Sequence, residues 1–215
     1  MKRRAVRSPF RLSCLLALFL ALMLTGTVAG CGRTGAGGGA SVPTSAAVEE
    51  RPGLSTSVSF EYYDVTGRTS TDLITAMETG GPEGYWAYTH WYVDYEYPGE
   101  KTAAGYRTGP VAVAADVTVI LPRWNPPPGA SPELVSRWER MVRAVRTHEE
   151  GHRDIGFSTG QRLLEALEAL PPHSSRDALD LAAGNAAGAI IGEGQARDAS
   201  YDAETDHGES QGATL

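Results

Sequence analysis

The pattern of hydrophobic and polar residues divides the chain, from about residue 55, into a strand-rich half and a helical half. Three stretches in the first half are rich in β-branched and aromatic residues: 57–65, 85–97 and 111–121. The middle stretch alternates, and its even-numbered face becomes polar towards the end. The odd-numbered face, which includes Thr89, is therefore predicted to face the core, and His90 is predicted to face outward.

The helical half contains two long patterns. The first begins at Ser131-Pro132-Glu133, a cap followed by proline and an acid, and continues to about residue 170. The second runs from about Arg176 to Ala199 and contains many small residues, which permit close packing against another helix. A short helix, 72–78, separates the first two strands. These elements predict an α+β domain in which a small antiparallel sheet packs on a long helix and a second, C-terminal helix.

The long helix contains the sequence His148-Glu149-Glu150-Gly151-His152. Residues four apart lie on one face of a helix, so His148 and His152 can point two imidazole nitrogens at one metal ion. Both belong to an apolar stripe with Leu134, Trp138, Met141, Val145 and Ile155. Two unpaired buried imidazoles would cost desolvation free energy, which a shared metal ion removes. The spacing is typical of zinc hydrolases, in which Glu149 would be the general base.

A catalytic zinc ion usually takes three protein ligands and leaves one position for water or substrate. The third ligand is expected from the C-terminal stretch 201–212, where His207 is the one histidine and Gly208 permits a close approach. Three carboxylates in the same stretch are alternatives as oxygen ligands: Asp202, Glu204 and Asp206. Asp202 or Asp206 can instead orient an imidazole by hydrogen bonding.

Three other residues near these motifs have more than one interpretation. Tyr201 can donate a hydrogen bond to a developing oxyanion, or it can be a half-buried packing residue. His173 follows Pro171-Pro172 and is expected in a surface turn rather than on a metal ion. His90, a single histidine on the outer face of its strand, is expected to be solvated rather than to be a metal ligand.

The first 30 residues have the pattern of a secretory signal. Five basic residues precede an apolar run, Leu12 to Leu24, that is short for a membrane span. The segment Val28-Ala29-Gly30-Cys31 resembles a bacterial lipobox, in which the cysteine becomes the lipidated first residue of the mature protein. Residues 1–30 are therefore predicted to be a lipoprotein signal peptide. The alternative is an ordinary secreted protein with a stray cysteine near its cleavage site.

Cleavage at that site would leave an acidic, extracytoplasmic protein anchored by Cys31 to the cell membrane or the outer membrane. The whole chain has a net charge of −7, and loss of five basic residues with the signal gives −12. Such a protein has no electrostatic reason to bind nucleic acid. Residues 31–54, rich in glycine, alanine, serine and threonine, are predicted to be a flexible tether, and 55–215 a single domain. One cysteine remains after cleavage, so no internal disulfide is possible.

Five pieces of the chain, in this order, resemble a bacterial family called domain of unknown function 922. They are Thr66-Gly67-Arg68-Thr69 with Gly81-Pro82, Ala87-Tyr88-Thr89-His90-Trp91, Ile120-Leu121-Pro122-Arg123-Trp124, His148-Glu149-Glu150-Gly151-His152, and Tyr201-Asp202 with Thr205 and His207-Gly208. The resemblance spans about residues 58–212. The family is described as predicted secreted zinc-dependent proteases, so the resemblance implies a zincin-like hydrolase that uses Zn²⁺.

Together these observations predict a membrane-anchored, zinc-dependent hydrolase, most simply a metallopeptidase acting on a peptide, a protein or another amide of the cell envelope. In this hypothesis His148, His152 and His207 hold the zinc ion. Glu149 and Tyr201 would then serve catalysis. Two alternatives are a lipoprotein that binds metal without turnover, and an envelope interaction protein whose histidines are paired with carboxylates and bind no metal.

Overall fold

The computed structural model describes residues 51–215. The predicted signal peptide, Cys31 and most of the predicted tether lie outside these residues. Within the described range, no helix combines the length and the apolar character that crossing a bilayer requires. Arg51 hydrogen-bonds Glu165 at 2.6 Å and Glu168 at 3.1 Å, so the chain contacts the domain from the first described residue.

The described chain is an α+β domain that consists of a three-stranded sheet, a small hairpin and three α-helices. The elements are β1 (Leu54–Val65), α1 (Ser70–Gly80), β2 (Tyr88–Glu96), β3 (Gly99–Thr102), β4 (Gly105–Thr108), β5 (Ala112–Trp124), α2 (Pro132–Glu168) and α3 (Arg176–Thr205). Short 3₁₀ turns follow α1 and α3, at Pro82–Gly84 and Glu209–Gln211. Strands β3 and β4 form the separate hairpin.

The three-stranded sheet has the order β1-β5-β2 and is mixed. Strand β2 is antiparallel to β5, with Thr89 opposite Val119, whereas β1 is parallel to β5, with Phe60 opposite Val119. The prediction of an antiparallel sheet is therefore wrong for β1. Alternation along a strand indicates which face is buried, but the pairing direction depends on the path of the long connection between β1 and β5.

Helix α2 packs across the inner face of the sheet. Its stripe is buried as predicted, including Trp138, Met141, His148 and His152. Gly156 allows a close approach, because a Cβ atom there would lie 2.7 Å from the Cβ atom of Trp91 on β2. The motif-bearing helix is thus held directly against β2, whose odd-numbered residues face inward as predicted.

Helix α3 packs along α2 and continues beyond its predicted end at Ala199. Its N-terminal cap is Ser175, and its last residue is Thr205. Asp206 and His207 then take left-handed backbone angles, with φ values of 51° and 49°, and end the helix. Tyr201 and Asp202 consequently lie on its last turns rather than in an irregular tail.

The contact between α2 and α3 can be tested at two glycines of α3. A Cβ atom at Gly194 would lie 2.5 Å from Thr159 Oγ1, so Gly194→Ala should lower the free energy of unfolding by about 1–3 kcal/mol. A Cβ atom at Gly188 would meet open space, so Gly188→Ala should raise it by about 0.5–1 kcal/mol. Urea unfolding monitored by circular dichroism measures both. Equal effects of the two variants would contradict the packing.

Candidate metal centre

Two helical pairs of side chains face each other between α2 and α3. His148 and His152 are four residues apart on α2, and Asp198 and Asp202 are four residues apart on α3, so each pair shares one helix face. The histidines are 5% and 6% exposed, and the aspartates are partly buried. Two regular helices therefore position four potential ligands with little conformational freedom.

Three atoms of these side chains converge on one point: His148 Nε2, His152 Nε2 and Asp202 Oδ1. The two nitrogens are 3.1 Å apart, and the carboxylate oxygen lies 3.1 Å from the first and 3.0 Å from the second. Ligand atoms about 2.0–2.1 Å from a tetrahedral zinc ion would be about 3.3 Å from one another. The three side chains can therefore hold a metal ion.

The outer nitrogens of both imidazoles contact hydrogen-bond acceptors. His152 Nδ1 lies 2.8 Å from Asp198 Oδ1, and His148 Nδ1 lies 3.1 Å from Gln211 Oε1. The amide nitrogen of Gln211 donates to the Tyr201 hydroxyl at 3.0 Å, which fixes the amide with its oxygen towards His148. Each Nδ1 must then carry a hydrogen, so in the neutral imidazoles each Nε2 presents a lone pair.

All three convergent atoms are therefore acceptors when the histidines are neutral. Lone pairs about 3 Å apart in a buried site repel one another unless a cation lies among them. The cation can be a proton or a metal ion. The donor set, two imidazole nitrogens and one carboxylate oxygen, is suited to zinc and to similar divalent metals.

The carboxylates make this site strongly attractive to positive charge. Burial lowers the pKa of His152, but hydrogen bonds to Asp198 and Asp202 outweigh burial and raise the pKa to about 10. Burial likewise raises the pKa of Asp202, but hydrogen bonds from His148 and His152 outweigh it and hold this pKa well below its ordinary value. The raised pKa of His152 and the lowered pKa of Asp202 both reflect the mutual stabilisation of imidazolium and carboxylate charges.

Glu149 is 4% exposed and contacts β2. The hydroxyl Oγ1 of Thr89 donates a hydrogen bond to Glu149 Oε2 at 2.7 Å. Burial raises the pKa of Glu149, and the Thr89 hydrogen bond offsets part of the rise. A carboxyl group with a raised pKa, beside a metal site, is suited to accept and release a proton.

His207 lies at the rim of the site. Its side chain is 55% exposed, and its Nδ1 is 3.6 Å from Asp202 Oδ1, so it is not one of the three convergent atoms. Its role as a metal ligand stays a prediction. The next residue, Gly208, makes the close approach instead: a Cβ atom there would lie 3.1 Å from His148 Cγ. This approach brings the following turn, with Gln211, to the outer nitrogen of His148.

Tyr201 packs against both histidines. Its ring stacks on His148 with centroids 5.0 Å apart and meets His152 edge-on at 5.1 Å. Gly151, inside the motif, leaves room for this ring, because any side chain there would collide with Tyr201. The predicted catalytic role of Tyr201 stays a prediction, while its packing role is evident.

The remaining sequence candidates lie outside the cluster. His90 is on the outer face of β2, where it packs edge-on against Tyr88 at 4.4 Å. The backbone of His173 pairs with Tyr106 of the hairpin. Glu204 accepts a hydrogen bond from Ser200 at 2.9 Å. Asp206 is an exposed residue of the turn that ends α3.

Three residues of this site were not singled out from the sequence: Thr89, Asp198 and Gln211. A signal existed for two of them. Thr89 is a polar residue on a face predicted to be buried, and Asp198 precedes Asp202 by one helical turn once α3 is extended. Nothing in the sequence indicated Gln211, because its contact depends on the left-handed turn around Gly208.

A family model described as a bacterial protein of unknown function, DUF922, matches residues 60–208. The matched range contains His148, Glu149, His152 and Asp202, and it ends before Gln211. No curated protein and no solved structure gives a significant match to the chain.

The ligand set can be tested with two variants at the same site. Asp202→Ala removes one of the three convergent atoms and should weaken zinc binding by more than about 100-fold. His207→Ala removes an exposed imidazole that touches the same carboxylate and should change the affinity by less than about threefold. Calorimetric titration of dialysed protein with zinc chloride measures both affinities. Loss of binding in His207→Ala alone would replace Asp202 with His207 as the third ligand.

Proposed function

The chain belongs to the bacterial family of unknown function DUF922, and we propose that it is a zinc-dependent hydrolase of amide bonds, most simply a metallopeptidase. One observation carries the proposal. Two histidines one helical turn apart share a carboxylate oxygen from the neighbouring helix, and a buried glutamate follows the first histidine directly. This is the combination that zinc-assisted hydrolysis requires: a ligand set and an adjacent base.

In the proposed site His148, His152 and Asp202 would hold the zinc ion. When bound, the ion supplies a Lewis acid that polarises the substrate carbonyl group and lowers the pKa of water. Asp198 and Gln211 orient the two imidazoles through their outer nitrogens, which keeps both Nε2 lone pairs directed at the site. The long helix α2, held against the sheet, supports a zincin-like arrangement.

Glu149 is the general base in this proposal. Its carboxylate takes one proton from the attacking water as the oxygen bonds to the carbonyl carbon. The same proton is then transferred to the nitrogen of the leaving amine as the carbon–nitrogen bond breaks, so the products are a carboxylic acid and an amine. Tyr201 accepts a hydrogen bond from Gln211, so its own hydroxyl hydrogen is available to a developing oxyanion.

The proposed location follows from residues 1–54. A signal peptide, a lipidated Cys31 and a flexible tether would hold the hydrolase on the extracytoplasmic side of the cell membrane or the outer membrane. The substrates within reach are peptides, proteins and other amides of the envelope.

A metal-free interaction lipoprotein is the second candidate. One observation favours it: Asp198 and Asp202 lie within hydrogen-bond distance of the two histidines, so carboxylates alone can pair with them once they are protonated. A metal-binding lipoprotein without turnover would have the same ligand set as the proposed hydrolase but would not catalyse hydrolysis.

Two neighbouring glutamates test the proposed base. Glu149→Gln should keep the zinc content and lower turnover by about 10²–10⁴-fold, because the amide accepts no proton. Glu150→Gln is the matched control: Glu150 pairs with Arg146 on the exposed side of the helix, so activity should be retained. Cleavage of a mixed peptide library and of purified peptidoglycan, followed by mass spectrometry, measures turnover.

The wild-type protein separates the candidates in the same assay. Bound zinc without cleavage would favour the non-catalytic metal protein, and absence of zinc uptake would favour the interaction protein. Full activity of Glu149→Gln would show that another group is the base.

The lipid anchor can be tested at Cys31. Cys31→Ser removes the thiol that would carry the lipid, so the protein should move from the membrane to the soluble extracytoplasmic fraction. Fractionation of bacterial cells, with metabolic labelling by a clickable fatty acid, measures both the location and the acylation. A labelled, membrane-bound Cys31→Ser variant would contradict lipidation at this cysteine.

A further inference from the structure

Thr89 is a buried hydroxyl residue whose shortest side-chain hydrogen bond is with the proposed base, Glu149. It is 8% exposed, and Glu149 is 4% exposed. Its Oγ1 lies 2.7 Å from Glu149 Oε2 and 3.4 Å from the Glu149 carbonyl oxygen. The short contact joins β2 to α2, so it links the sheet to the helix that bears the motif.

We propose that Thr89 is a positioning residue for catalysis: its hydroxyl group holds one oxygen of the Glu149 carboxylate, so that the other oxygen faces the reacting water. The inference rests on the proposed hydrolase function, because it assigns Thr89 a role through Glu149. Thr89 lies on β2, outside the motif His148–His152 of α2.

The two oxygens of the Glu149 carboxylate have different surroundings. Among residues 51–215, Thr89 is the one hydrogen-bond partner of this carboxylate, and it contacts Oε2. Within the same range the one fully buried side-chain polar atom without a partner is His173 Nε2. Glu149 Oε1 has no such partner and is not in this class, so the protein does not enclose it completely. One oxygen is held by the protein, and the other is available to accept a proton.

Packing alone does not explain a hydroxyl group at position 89. On the same inward face, Ala87, just before β2, and Val93, within β2, are apolar and 7% exposed. Valine has nearly the shape of threonine and would fill the same space without a polar group that must be satisfied. The hydroxyl group is thus accounted for by the carboxylate that it contacts.

The distance between Thr89 and Glu149 is set by the surrounding backbone. Thr89 is paired with Val119 in the sheet, and two residues further along β2 the Trp91 side chain packs directly on Gly156 of α2. A β-branched side chain also has a restricted χ1 angle. The donor is therefore fixed relative to the helix, which limits rotation of the carboxylate.

The hydrogen bond also keeps the proton transfer productive. During hydrolysis the proton from water goes to Glu149 Oε1 and then to the leaving amine. The hydroxyl hydrogen of Thr89 stays covalently bonded to Thr89 throughout and remains hydrogen-bonded to Glu149 Oε2. The carboxylate oxygen that takes the proton is thus the one that can return it to the substrate.

Three variants test the inference with the peptide that the wild-type protein cleaves fastest. Thr89→Val should lower kcat by about 10–100-fold, leave KM within about twofold and leave the zinc content unchanged. Thr89→Ser restores the donor and should return kcat to within about threefold of wild type. Thr108→Val is the matched control, since Thr108 is also 8% exposed and donates to the Leu167 carbonyl group, away from Glu149. It should lower stability without changing kcat.

Crystal structures of the variants give a readout that does not depend on activity. In Thr89→Val the Glu149 carboxylate should rotate or show more than one orientation, and in Thr89→Ser it should keep the orientation of the wild type. An active wild type with unchanged kcat in Thr89→Val, or no rescue by serine, would overturn the role of Thr89 alone. An inactive wild type that cleaves no substrate would instead overturn the proposed hydrolase, and this inference with it.

Discussion

The mutual repulsion of three acceptor atoms is the constraint on which the rest of this structure depends. His148 Nε2, His152 Nε2 and Asp202 Oδ1 lie about 3 Å from one another, and both histidines are buried. Such an arrangement is unfavourable by itself and becomes favourable around a cation. Close packing of α2 and α3 keeps the atoms together: Gly194 lets the helices approach, and Gly151 admits the Tyr201 ring.

In the proposed hydrolase, the residues around this triangle would serve both metal binding and catalysis. Asp198 and Gln211 contact the outer nitrogens of the histidines, while Thr89 contacts Glu149 from β2. The candidate ligands lie on helices, and the residues that contact them and Glu149 lie on a helix, a turn and a strand. Each group is therefore oriented by an element that is itself packed, which is the condition for a preorganised site.

Local pattern was enough for the parts of the site that one helix contains. His148, Glu149 and His152 follow from the motif within an apolar stripe. The two histidines are buried as expected, and Glu149 is buried as well. The local pattern of the sequence did not identify the residues that other helices, turns or strands contribute to the site. Asp202 was one of several acidic candidates because the end of α3 was placed at Ala199, which hid its alignment with Asp198.

The fold, too, is only partly predictable from local sequence pattern. Strand and helix positions follow from alternation, capping residues and turn residues, and the helix start at Ser131 is capped as expected. The parallel pairing of β1 with β5 does not follow from either strand, because it is set by the connection between them. The left-handed turn at Asp206, His207 and Gly208 likewise arises from the whole tail rather than from a glycine alone.

The most direct test of the central claim is the position of a zinc ion in a crystal of the zinc-loaded protein, located by anomalous scattering at the zinc absorption edge. The account predicts one strong peak per chain, within bonding distance of His148 Nε2, His152 Nε2 and an Asp202 carboxylate oxygen. A protein that takes up no zinc, or a peak elsewhere with these three side chains unligated, would contradict it.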